Sequence, residues 1–154
     1  MSAASGTAFI QRRTVSCNGW RYRVKPEVFN LALITGVSGS GKSATLRLLQ
    51  SRLASQRELT LGVLTRPQAA LADFYRVLGD LFGVPLRPHN RWASAKALRE
   101  RWLQHLGTAL VRPVLLADEA QEMHAAVLAE LRLLTSAELD SRSILTVVLA
   151  GDDR

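Results

Sequence analysis

Gly36-Val37-Ser38-Gly39-Ser40-Gly41-Lys42-Ser43 fits the pattern G-x-x-x-x-G-K-[ST] without a mismatch, and it decides the fold. Glycines at 36, 39 and 41 let the backbone turn where side chains would clash. They also let successive N–H groups point inward as an anion nest. Lys42 offers an ammonium to the β- and γ-phosphates of a nucleotide, and the Ser43 hydroxyl can ligate Mg²⁺. The first N–H groups of the following helix, from Ser43 and Ala44, add partial positive charge. The whole stretch Gly36, Val37, Ser38, Gly39, Ser40, Gly41, Lys42, Ser43 and Ala44 is therefore the expected phosphate cradle.

Such a loop works only between a buried strand and a helix. Phe29 to Thr35 is a short apolar run suited to a central parallel strand. Ala44 to Gln56 contains neither Gly nor Pro, and Leu46, Leu49 and Leu53 share one helical face. Both halves of the required setting are present.

The second half of a nucleotide site is acidic. Arg112 to Glu119 (Arg-Pro-Val-Leu-Leu-Ala-Asp-Glu) is an apolar strand ending in two carboxylates, the Walker B pattern. Asp118 would hold Mg²⁺ through its water shell, and Glu119 would polarise the attacking water. Adjacent acids also suit a plain helix N-terminus. The P-loop favours the catalytic reading, because ligands gather at the carboxyl ends of parallel strands. A further apolar, β-branched run, Ile144 to Ala150, precedes Gly151-Asp152-Asp153. Asp152 falls where a polar residue would sit beside the γ-phosphate, and it equally suits an ordinary turn.

The remaining elements are legible more coarsely. Leu59 to Thr65 reads as a strand. A helix starting at Pro67 or Gln68 runs to Phe82, with Leu71, Phe74, Tyr75, Leu78 and Leu81 on one face, and Gly83 and Pro85 stop it. The stretch Leu86 to Trp92 reads as a basic, aromatic loop. A helix over 94–110 exposes Lys96, Arg99 and Arg101 and packs Trp102. Another helix covers Ala125 to Leu134.

Composition sets outer limits. A chain of 154 residues, 47% hydrophobic, can build one domain with a real core. Its mean hydropathy is +0.05, and its sequence has no apolar run of transmembrane length. The start, Met-Ser-Ala-Ala-Ser-Gly-Thr, lacks the charged and apolar regions of a signal peptide. A single cysteine, Cys17, excludes an internal disulfide and fits a reducing cytoplasm. The histidines at 89, 105 and 124 form no zinc pattern, and residues 36–40 fail the Gly-x-Ser-x-Gly elbow at the fifth position.

The net charge of +7 is uneven: +8 over residues 1–57, +4 over 58–112 and −5 over 113–154. Arg12, Arg13, Trp20, Arg21, Tyr22 and Arg23 interleave cations with aromatics just before the first strand. That segment suits an anionic partner or simple docking on the core. The chain divides into an N-terminal basic segment, 1–24, and a nucleotide-binding core, 25–154.

The P-loop, the box Pro113 to Met123 (with Asp118-Glu119-Ala120-Gln121), the Leu128 to Thr135 helix and Val147 to Gly151 together resemble the ExeA-like AAA+ ATPases. That group is close to the helper ATPases of DNA transposition (the TniB/IstB/TnsC type). The resemblance covers roughly residues 25 to 154. It implies an α/β fold of the P-loop NTPase kind, three layers around a parallel sheet ordered 5-1-4-3-2. It also implies ATP and Mg²⁺ as ligands, homo-oligomers and, in the transposition branch, double-stranded DNA and a transposase as partners. The residues carried over are Lys42 and Ser43 for phosphate and Mg²⁺, Asp118 for Mg²⁺, and Glu119 for water. Asp152 lies near the sensor position, where Asn, Thr or Gln is usual. Arg66, Gln68 and Arg76 are the local candidates to face DNA. Members of the group continue into a fifth strand, an arginine finger and a helical lid. The expectation is thus a core incomplete at its C-terminus, with ATP binding retained and turnover dependent on the missing parts. A non-hydrolysing module and a secretion ATPase remain as alternatives; a DEAQ-type helicase would need a second domain.

Overall fold

The structure is a computed structural model that describes residues 31–66, 70–87, 89–137 and 142–152, with the backbone alone at 16–17, 20–21, 136–137 and 142. The elements run β1 (Ser16–Cys17), β2 (Trp20–Arg21), β3 (Leu31–Thr35), α1 (Lys42–Ala54), β4 (Leu59–Leu64), α2 (Leu71–Phe82), α3 (Arg91–Thr108) and β5 (Arg112–Ala117). A 3₁₀ turn (Ala120–Glu122), α4 (Ala125–Thr135), β6 (Ser136–Ala137), β7 (Arg142–Ser143) and β8 (Thr146–Gly151) follow among the described residues.

Four parallel strands form the central sheet in the order β3-β8-β5-β4. Counting these core strands along the chain gives 1-4-3-2, which agrees with the four matching positions of the order implied by the resemblance. The sheet is parallel because each connection carries a helix across one of its faces. Along β5 the side chains alternate. Val114 and Leu116 join Ile34, Leu46, Val148 and Ala150 on the α1 face. Leu115 and Ala117 join Val147 and the buried side chains of α2, α3 and α4 on the other. The result is an α/β/α sandwich, as the sequence implied.

Pro113 sits in this inner strand without breaking it. Arg112 N–H donates to Glu58 O at 2.8 Å, so the missing N–H of the next residue faces the β8 side. Pairing with β8 begins only at Val114. The proline therefore removes a donor where β5 has no neighbour on that side.

The larger core holds the aromatic residues. Phe82 and Trp102 meet edge to face with centroids 5.2 Å apart, and Phe74 and Tyr75 do so at 5.6 Å. Each such side chain contributes about 1.5–3 kcal/mol through burial and somewhat more through ring geometry. Gly62 on β4 makes room for the Phe82 ring, since a Cβ there would lie 3.0 Å from its Cζ.

A buried carboxylate ties the three helices on this face together. Glu130 of α4 accepts from the Tyr75 hydroxyl of α2. It also accepts from Arg91 of α3, at 2.7 Å from Nε and 2.6 Å from Nη2. Burial first, and then the hydrogen bond to Glu130, push the Tyr75 hydroxyl pKa far above its ordinary value of 10.0. The tyrosine thus stays a neutral donor.

Several boundaries differ from the sequence reading. Helix α3 starts at Arg91 rather than at 94, because Asn90 Oδ1 caps it by accepting from Ala93 N–H at 3.0 Å. Residues 91–92, read as loop, are its first turn. Arg99 is half-buried rather than exposed: it donates to Leu133 O, and its Nε is buried without a partner among the described residues. Ile144 and Leu145 are buried but precede β8; Ile144 N–H turns back to Thr135 O at 2.9 Å. The hairpins β1–β2 and β6–β7 and the 3₁₀ turn were not expected. Arg12, Arg13, Tyr22, Arg23, Gln68 and Asp153 lie outside the described residues, as do the side chains of Cys17, Trp20 and Arg21. Among the described residues, no helix is long and apolar enough to cross a membrane.

Tyr75→Phe removes one donor from buried Glu130 and is expected to lower stability at neutral pH by about 1–3 kcal/mol, read from the urea midpoint. Because the folded hydroxyl pKa is raised, the tyrosine's contribution is fully present below about pH 10. The gap between wild type and variant should hold constant up to that pH and narrow above it.

Candidate nucleotide-binding site

The parallel register brings three chain ends to one edge of the sheet. Thr35 pairs with Gly151 and Ala117 with Leu149. Gly36 therefore leaves β3 level with Asp152 leaving β8, while Asp118 leaves β5 two places from β3 in the sheet.

After β3 the chain makes a tight turn in which the Ser40 N–H and hydroxyl both donate to Val37 O, at 3.2 and 2.6 Å. Gly39 and Gly41 take φ of 79° and 90°, a region L side chains rarely adopt. A Cβ at either would meet nothing within 4 Å. Backbone conformation, not crowding, reserves these positions for glycine, and the space above them is open. Thr45 N–H donates to Gly41 O at 2.9 Å and starts α1. Among the described residues no side chain caps this end, and the first turn carries no acid. The helix's orphan N–H groups and partial positive charge are left for another anion.

Lys42 does not extend into solvent. Its ammonium donates to Gly36 O at 2.9 Å and Val37 O at 3.0 Å, and it pairs with Asp152 Oδ1 at 2.6 Å. The residue is only 7% exposed. A buried charge persists only with partners of this kind, and here those partners are the loop and the end of β8.

At the end of β5, Asp118 N–H continues the ladder to Leu64 O at 3.0 Å, and its Oδ1 accepts from Glu119 N–H at 3.0 Å. Glu119 adopts a left-handed conformation, φ 52° and ψ 42°, and turns the chain into the 3₁₀ segment. There Gln121 reaches both ways. Its Nε2 donates to Glu119 Oε2 at 2.5 Å, and its Oε1 accepts from Asp152 N–H at 3.0 Å. A continuous path thus runs Lys42–Asp152–Gln121–Glu119. Gly151 allows it, since a Cβ there would stand 2.8 Å from Gln121 Oε1.

The sequence-derived residues are placed as follows. Gly36 to Ala44 form the turn and helix start; Lys42 and Asp152 are in contact; Asp118 and Glu119 end the strand on the far side of β8. Ser43 is half-buried, with no hydroxyl partner among the described residues. In the sequence, Gln121 and Gly151 stand out only as part of a family pattern and of a turn cluster. The Asp-Glu-Ala-Gln box shows an amide two residues past the glutamate, a weak signal because the turn that brings the two together is not visible in it. Of the candidates for DNA, Arg76 is exposed and paired with Asp73 at 2.7 Å, and Arg66 is exposed. An open depression lined by Glu58, Leu106, Leu110, Arg112 and Ser143 lies at the opposite end of the sheet, away from these groups.

A parallel α/β/α sandwich with a glycine-rich turn and a lysine at the first helix defines a P-loop NTPase fold. Residues 29–154 match the AAA domain family, and the chain belongs to it. General secretion pathway protein A from Aeromonas hydrophila is 34% identical over 122 residues, 77% of this chain and 21% of its own. Cdc6p from Pyrobaculum aerophilum shares the fold, with a TM-score of 0.64 at 18% identity, over 80% of this chain and 33% of its own. The chain thus spans about a fifth of the curated relative it matches.

Gly151→Ala forces Gln121 out of place. Stability is expected to fall by about 1–3 kcal/mol, read from the denaturant midpoint; an unchanged midpoint would show that Gln121 can shift freely.

Proposed function

We propose that this chain binds ATP with Mg²⁺ and hydrolyses it, as the motor domain of a larger AAA-type assembly. The observation that carries this is the buried Lys42 ammonium at an uncapped helix N-terminus, joined through Asp152 and Gln121 to the exposed carboxylate of Glu119.

The donor set suits the ligands. The open nest over Gly39 and Gly41 and the N–H groups of Lys42, Ser43 and Ala44 take phosphate oxygens. Gly36, Val37, Ser38 and Ser40 shape the turn. A hydroxyl from Ser43 and a carboxylate from Asp118 are the sparse hard-oxygen ligands Mg²⁺ prefers, the rest coming from phosphate and water. When bound, the metal neutralises charge developing on the β- and γ-phosphates. Glu119 polarises the water. Lys42 exchanges Asp152 for the γ-phosphate, so the break of the Lys42–Asp152 ion pair reports phosphate arrival, the sensor role we propose for Asp152.

The likeness to General secretion pathway protein A favours work in a secretion pathway over DNA transposition, which rests on the sequence resemblance alone. The AAA+ resemblance supports homo-oligomers, and the single cysteine fits a cytoplasmic location. DNA binding that weakens with salt and strengthens with ATP would reverse the preference and put Arg66, Gln68 and Arg76 on the DNA side.

Lys42→Ala should abolish ATP binding measured by equilibrium titration. Glu119→Gln should keep binding and lose about 10²–10⁴-fold in turnover. A Lys42→Ala variant with wild-type affinity would sink the proposal. Asp152→Asn, which removes the competing carboxylate, should tighten ATP binding by about tenfold, roughly 1.4 kcal/mol. Unchanged or weaker binding would mean that Asp152 does not compete with phosphate for Lys42.

A further inference from the structure

We infer that Gln121 is a positioning residue for ATP hydrolysis: it fixes the Glu119 carboxylate against the phosphate-sensing end of β8. The inference rests on the proposed role of Glu119 as the group that polarises water. In that step the water oxygen bonds to the γ-phosphorus and the bond to the β-phosphate oxygen breaks, releasing ADP. The water proton passes to the Glu119 carboxylate and on to phosphate. The rate depends on where that carboxylate points.

Little else holds it there. Glu119 is exposed, and its own backbone is in the left-handed region. Its side chain has three rotatable bonds, and Oε2 is held by Gln121 Nε2 at 2.5 Å. The same amide accepts from Asp152 N–H at 3.0 Å. Asp152 in turn holds Lys42 at 2.6 Å. Gln121 therefore ties the carboxylate to the backbone of the residue whose side chain pairs with the phosphate-binding lysine.

Only a carboxamide meets both demands. It donates to a carboxylate with its NH₂ and accepts from a backbone N–H with its oxygen. Glutamate at 121 is isosteric but acceptor-only when ionised, so it keeps the Asp152 bond and sets a like charge against Glu119. Pinning the 3₁₀ turn to β8 needs the Asp152 bond alone; the bond to Glu119 helps hold the turn and also sets where the carboxylate points. Glycine at 151 lets the amide come this close, since a Cβ would fall 2.8 Å from Oε1.

The test compares wild type, Gln121→Ala, Gln121→Glu, Glu119→Gln and the Glu119→Gln/Gln121→Ala pair. It reads steady-state kcat, KM, equilibrium ATP affinity and melting temperature on the 154-residue chain. Gln121→Ala and Gln121→Glu should each lower kcat by roughly 10–100-fold and leave ATP affinity within about twofold. The pair should be no slower than Glu119→Gln alone, because two members of one device do not add. A Gln121→Ala kcat equal to or above wild type overturns this inference alone, and so does a loss of affinity matching the loss of kcat. A wild-type chain that binds ATP without turning it over overturns the proposal that this chain hydrolyses ATP, and this inference with it.

Discussion

Burial of the Lys42 ammonium is the constraint on which the site is built. An unpaired cation at that depth would cost several kcal/mol, and Lys42 avoids the cost with two loop carbonyls and one carboxylate. Those three oxygens come from segments far apart in sequence: Gly36 and Val37 after β3, and Asp152 after β8. They converge only because β8 lies next to β3 in register, Thr35 opposite Gly151. Inserting the last strand of the sheet beside the first is thus a topological fact with a local electrostatic consequence. A one-residue slip of β8 would carry Asp152 away from Lys42 and turn Val148 and Ala150 away from α1.

The other buried ionic cluster makes a useful contrast. Glu130 is 2% exposed and is satisfied by Tyr75 and Arg91, so α2, α3 and α4 are locked over one face of the sheet. The partners of Glu130 are side chains within one layer, whereas those of Lys42 are the ends of strands. The first arrangement suits a fixed scaffold. The second can be undone by a ligand that offers Lys42 better oxygens, since the ammonium and the carboxylate sit at the open end of the sheet.

The elements that proved legible in the sequence are those whose signal is continuous and local. The P-loop, the apolar β5 and β8 runs and the leucines of α1 each declare themselves through spacing or hydrophobicity. The start of α3 was hidden because its cap, Asn90, stands inside a basic, aromatic stretch that reads as loop. Ile144 and Leu145 extended the apparent strand, because hydrophobicity reports burial and not pairing. Arg99 looked like a surface cation, yet its stem packs and its head reaches Leu133 O. Gln121 could not be assigned a role at all. Its two bonds depend on a left-handed turn at Glu119 and on the neighbouring strand, and neither is written in the residues beside it.

That left-handed turn also explains how the site stays ordered. A non-glycine residue in this region costs on the order of 1 kcal/mol. At Glu119 the cost is offset by three bonds: its N–H to Asp118 Oδ1, its carbonyl to Glu122 N–H at 2.9 Å, and its carboxylate to Gln121. The strain turns the chain sharply at the strand's end, so that the glutamate and the amide two residues on share one space. An untwisted exit from β5 would keep the carboxylate and separate it from Gln121. The conformation is therefore held by the contacts it creates, and loosening any one of them frees the side chain on which hydrolysis would depend.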